Sequence, residues 1–181
     1  MRDGYGLLVA NALVAVQQLH DDVSRLLQDC DGVIGKGKAS RFANAVTQDL
    51  SALLRADYWM AEAVFCYYYE ADGADGVVDA VTACFFDAEN RIPEPFLLVG
   101  QVKYRVEANA QIPAKCQGWD LRHGYFGWWP NRTPGMAHAG RRDDDRVEWF
   151  KVVGVPLFSV RSVAHVGELL AEVQRVALSA S

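Results

Sequence analysis

The spacing of apolar residues changes near residue 60, and that change limits what this chain can fold into. Before it, apolar side chains return every three or four positions, the period of a helix. After it they alternate or cluster in short β-rich blocks, until helical spacing returns near residue 160. The order is helix, helix, sheet, helix. A length of 181 residues suits one core and is short for two. The expectation is a single α+β domain over 1–181, with two N-terminal helices, an antiparallel sheet of four or five strands and a C-terminal helix.

The first helix is expected over 5–29, where Val9, Leu13, Val16, His20, Val23 and Leu27 line one face. His20 sits in that stripe and reads as a core or boundary residue. The run Asp31–Lys38 is a glycine-rich connection. Ser40 is a candidate N-cap for the second helix, which Phe42, Val46, Leu50, Leu53 and Leu54 extend to about Trp59. Residues 58–69 admit helix or strand, and the block Val64–Tyr69 favours strand through its aromatic content.

Asp72–Gly76 is a turn, and 81–89 is a strand. Phe96–Val106 is the clearest strand, with Phe96, Leu98, Val102, Tyr104 and Val106 alternating against Gln101, Lys103 and Arg105. The Pro93–Pro95 connection is too short for a crossover helix, so 81–89 and 96–106 should pair antiparallel. Leu121–Trp129 and Val147–Val153 read as further strands, and 130–146 as a long loop. Ser162 should cap a last helix whose Val163, Val166, Leu170, Val173 and Ala177 face inward.

With 18 basic and 23 acidic residues the formal charge is -5, which argues against a nucleic-acid partner. The stretch Leu7–Val16 is too short and too soon polar to span a bilayer, and no signal peptide is evident. Cys30, Cys66, Cys84 and Cys116 are widely spaced and read as buried, reduced thiols of a cytoplasmic protein. Arginine excess over lysine, with abundant Ala and Val, points to a bacterial source.

Several motifs are incomplete. Gly32–Ser40 approaches a phosphate-binding loop, but Ala39 stands where a hydroxyl must follow the lysine. Cys116, His123 and His138 lack the tight ligand turn of a zinc site, and Asp72, Asp75 and Asp79 lack calcium-loop spacing. Nothing in the sequence specifies a metal or cofactor. Asp87 followed by Gln101 and Lys103 resembles, over one hairpin, the site of PD-(D/E)xK metal-dependent nucleases. That resemblance implies a divalent cation beside a lysine, with Gln101 replacing one of the usual acids.

The block Trp119, Tyr125, Phe126, Trp128 and Trp129 is the most unusual local composition. On a strand, neighbouring aromatics go to opposite faces, so Trp128 and Trp129 cannot both enter one core. Tryptophan and tyrosine anchor interfaces. The expected function is therefore a non-catalytic binding module, adaptor-like or immunity-like, for a protein or small ligand. Its expected contacts are Trp119, Tyr125, Trp128, Trp129, His138, Arg141 and Arg142, and a nuclease is the alternative.

Overall fold

The computed structural model describes residues 3–45, 62–70, 75–85, 94–105, 119–128, 133–142 and 145–178, with backbone alone at 3–5, 39–45, 119 and 128. Helix α1 (Asp3–Val33) leads into strands β1 (Ala39–Ala45), β2 (Ala63–Tyr69), β3 (Val77–Cys84) and β4 (Phe96–Tyr104). Helix α2 (Trp119–Trp128), strands β5 (Ala137–Arg141) and β6 (Val147–Pro156), a 3-10 turn (Leu157–Ser159) and helix α3 (Val163–Arg175) follow. The strands form one six-stranded sheet in the order β1-β2-β3-β4-β6-β5, with every neighbouring pair antiparallel. The α+β reading and the antiparallel β3–β4 pair hold.

Three local expectations change. The second N-terminal helix was expected to start at Ser40, but Ala39–Ala45 is a strand, with Phe42 opposite Cys66 of β2. Its residues carry little β preference of their own, and pairing with β2 supplies the strand. The rest of that stretch, 46–61, lies outside the described residues. Leu121–Trp129 was expected as a strand and is helical through Trp128. The expected loop 130–146 contains β5, which pairs with β6 from Ala137↔Val153 to Arg141↔Trp149.

Alternation along the strands divides the core into two layers. On one face, Phe96, Leu98, Val102, Tyr104, Phe150 and Val152 meet Leu121, Tyr125 and Phe126 of α2. On the other, Cys66, Tyr68, Val81, Val99, Val153 and Val155 meet Val23, Leu27 and Cys30 of α1 and Val166, Leu169, Leu170 and Val173 of α3. Each fully buried aliphatic of α3 contributes about 1.5–3 kcal/mol. Ser162 caps α3 as expected, its Oγ accepting from the His165 backbone N–H at 3.4 Å, whereas Ala177 lies exposed beyond the helix end.

Helix α2 lies close against its face because glycines admit it. A Cβ on Gly100 of β4 would stand 2.6 Å from Leu121 Cδ1, one on Gly124 2.5 Å from Phe150 Cε2, and one on Gly154 2.7 Å from Tyr125 Cε1. Helix and sheet thus exchange rings and glycines across the seam. The start of α2 is fixed by Asp120, which accepts hydrogen bonds from both terminal nitrogens of Arg146 and from Tyr104 Oη at 2.7 Å. Arg122 forms a second buried ion pair with Glu62 at 2.9 Å.

Helix α1 is longer than the sheet it covers. His20 packs its ring 4.5 Å from that of Phe85, at one end of the α1 contact. Toward the N-terminus of that point Leu7, Leu8, Val9, Leu13 and Val14 are exposed. The apolar stripe read from Val9 onward is therefore core only in its second half.

Candidate functional site

Directly opposed residues of an antiparallel pair share a face. On the face that carries α1 and α3, the register sets Asp79 beside Gln101 and Gln101 beside Lys151. The next row runs Val77, Lys103, Trp149 and Arg141 across β3, β4, β6 and β5. These two rows form a polar strip next to the apolar rows under the helices.

The strip is held by its own contacts. Asp79 is only 3% exposed, and its carboxylate accepts from Lys38 Nζ at 2.6 Å and from Gln101 Nε2 at 2.8 Å. Lys38 reaches it because Gly37 turns the chain with φ +79°, a conformation that side chains resist. Lys103 Nζ donates to the Asp75 carbonyl. Lys151 Nζ donates to the Gln174 carbonyl at 3.3 Å and lies 5.6 Å from the Trp149 ring centre. That distance is within cation–π range. Arg141 lies 3.9 Å from Glu148.

Among the described residues expected as contacts, Tyr125 and His138 lie on the α2 face and Arg141 on the other. Tyr125 is fully buried, rings against Phe96 and Phe126, its hydroxyl donating to the Gly154 carbonyl at 3.3 Å. It is a core residue, not a contact anchor. Trp119 and Trp128 begin and end α2, and their side chains, with Trp129, lie outside the described residues. Because α2 is a helix, neighbours are offset by about 100° around its axis. The alternation argument for one exposed tryptophan therefore lapses. His138 is half-buried on β5 with its ring 6.1 Å from that of Tyr125, on the α2 face. Among the described residues, Arg141 alone of the expected contacts belongs to the strip, while the Arg142 backbone N–H donates to Glu148 O at 3.0 Å.

Asp87 lies outside the described residues, and the carboxylate opposite Gln101 is Asp79. Val78 and Ala80 enter the α2-side core, so strand alternation leaves Asp79 on the other face. Among the described residues no three His, Cys, Asp or Glu side chains gather closely enough to hold a metal ion. Among them, too, no helix is long and apolar enough to cross a membrane.

Cys30, Cys66 and Cys84 are buried, as expected, and Cys116 lies outside the described residues. Burial, reinforced by the neighbouring Cys66, Asp31 and Asp29, pushes the Cys30 thiol up to about 12. Burial also raises the Cys66 thiol. Both stay protonated at neutral pH and are poor nucleophiles.

Burial pushes the His138 imidazole below its ordinary value, against an opposing backbone hydrogen bond with Thr133. The unfolded chain takes up this proton near about pH 6.5, and the folded chain only at lower pH. The His138 contribution is therefore complete above that value and declines as pH falls through the window beneath it. His138→Phe is expected to flatten this part of the acid profile, read as the difference between wild-type and variant melts taken between about pH 7 and pH 5. Identical slopes would show that the histidine does not report on folding.

Comparison of the chain with known protein families, with characterised proteins and with solved structures finds no match.

Proposed function

We propose that the protein is a non-catalytic binding module, and that the polar strip of β3, β4, β6 and β5 contacts an acidic segment of a protein partner. The observation that supports this is the state of two lysines. Lys103 and Lys151, on adjacent strands beside Trp149, donate only to carbonyl oxygens among the described residues. Among those residues no carboxylate neutralises their charges, on a chain whose formal charge is -5. Fixed cations beside an indole ring suit a carboxylate-bearing chain, because the ring adds contact area while the cations set register. The row from Val77 to Arg141 crosses four strands. At the usual strand spacing that is about 14 Å, the length of a short extended segment.

The test is a titration with a short poly-glutamate peptide, followed by amide chemical shifts, with inorganic pyrophosphate as a separate arm. Shifts should centre on Lys103, Trp149 and Lys151 and fade with added salt. Lys103→Glu with Lys151→Glu should weaken peptide binding about tenfold or more. Unchanged binding by that variant, or shifts elsewhere, would overturn the reading. Binding of pyrophosphate alone would reassign the strip to a small phosphorylated ligand.

One register observation favours the nuclease alternative in a revised form. Asp79, not Asp87, stands opposite Gln101, with Lys103 two residues on. Both Asp79 oxygens are already engaged, by Lys38 and Gln101. Magnesium-dependent DNA cleavage abolished by Asp79→Ala would establish that reading in place of the first.

A further inference from the structure

We propose that α1 pairs antiparallel with α1 of a second copy of this chain, each copy setting Leu8 into a groove on the other. The groove has a volume of about 300 Å³ and lies between α1 and the 3-10 turn, its lining apolar through Leu19, Val23, Leu26 and Phe158 and polar through Asp22 and Arg161. Phe158 is 73% exposed beside it. Leu7 and Leu13 are each 65% exposed on the overhanging half of the same helix.

Three observations fix the occupant. The overhang exposes apolar side chains on more than one side, since Leu7 and Val14 share one face while Val9 and Leu13 lie on another, with Asn11 the polar residue among them. A helix of that kind is covered in its working state. The helix also carries both halves of a self-complementary contact. Leu8, Ala12, Ala15 and Leu19 form one ridge, with Leu8 and Leu19 at its ends and two small residues between them. A two-fold axis near Leu13 and Val14 sets Leu8 of each copy against Leu19 of the other, at the mouth of the groove. The alanines cross at the centre, where they allow close approach. This is the isologous geometry of a two-fold dimer. Finally, no Asp, Glu, Lys or Arg lies between Asp3 and Asp21, so the ridge from Leu8 to Leu19 carries no charge to oppose its copy.

The experiment is sedimentation of the full chain over a wide dilution series. The mass should double at high concentration, and Leu8→Glu should weaken the association about tenfold or more. Leu8 is exposed, so the melting temperature should hold. Phe158→Glu, on the far side of the groove, should act in the same direction. The double substitution Leu8→Cys with Leu19→Cys should give an oxidised, covalently linked dimer, which neither single substitution nor the wild type gives. A monomer at every concentration would overturn the proposal. A monomer that binds anionic vesicles would assign the overhang to a lipid surface instead. A dimer indifferent to Leu8→Glu and Phe158→Glu would place the interface elsewhere and would equally overturn it.

Discussion

Gly100→Ala is expected to lower the stability of the fold by about 3 kcal/mol, the upper range for overpacking a tight core. The added carbon would press on the Lys151 carbonyl and stand 2.6 Å from Leu121 Cδ1. The first obstacle is backbone within the β4–β6 ladder, where Gly100 lies opposite Val152, so it cannot turn aside as a side chain can. Equilibrium denaturation of wild type and variant measures the loss. The neighbouring site gives a contrast. At Gly154 a new carbon meets the ring of Tyr125, a side chain. Gly154→Ala should therefore be partly rescued by Tyr125→Leu, whereas no substitution at Leu121 should rescue Gly100→Ala fully. A loss below about 1 kcal/mol at Gly100 would show that α2 rides loosely on the sheet.

Asp120→Ala is expected to cost a comparable amount, about 3 kcal/mol, for an electrostatic reason. Asp120 is 3% exposed and accepts from Tyr104 and twice from Arg146. Its removal takes the counter-charge from a partly buried guanidinium and an acceptor from a buried hydroxyl. Tyr104→Phe removes one hydrogen bond and no charge, and should cost about 1 kcal/mol. Thermal or denaturant melts of the two variants separate these contributions. Near-equal losses would show that the guanidinium finds solvent as readily as it found Asp120.

How far the fold was legible in the sequence depends on where the information for each element resides. α1, β4 and α3 carry their own patterns, because each buries one face against a large partner and the period of its apolar residues records that burial. β1 and β5 carry none. Ala137–Arg141 reads Ala-His-Ala-Gly-Arg, with no β-branched residue, and its strand character comes from β6. α2 misled through composition, since aromatic content favours strands in general. Its burial pattern, Leu121, Arg122, Tyr125 and Phe126, is nonetheless helical in spacing. The polar strip was half visible. Gln101 and Lys103 were marked on β4, but the acid beside them was sought at Asp87, and only the register with β3 brings Asp79 there. Trp149 and Lys151 join them from a strand more than forty positions away, a proximity that no local pattern encodes.

The strand order has a consequence for how the chain assembles. β1 to β4 pair with sequence neighbours, whereas the β4–β6 ladder, from Phe96↔Pro156 to Tyr104↔Val147, joins segments far apart. Short loops close first and long ones later, because ordering a longer loop costs more chain entropy. On a ribosome, β4 therefore waits as an open edge, its Leu97 and Val99 without the strand that flanks them, until residue 156 has emerged. An unpaired apolar edge is the usual template for mispairing between nascent chains. Translational pauses between residues 105 and 147 should lower the soluble yield of this protein more than pauses after residue 156.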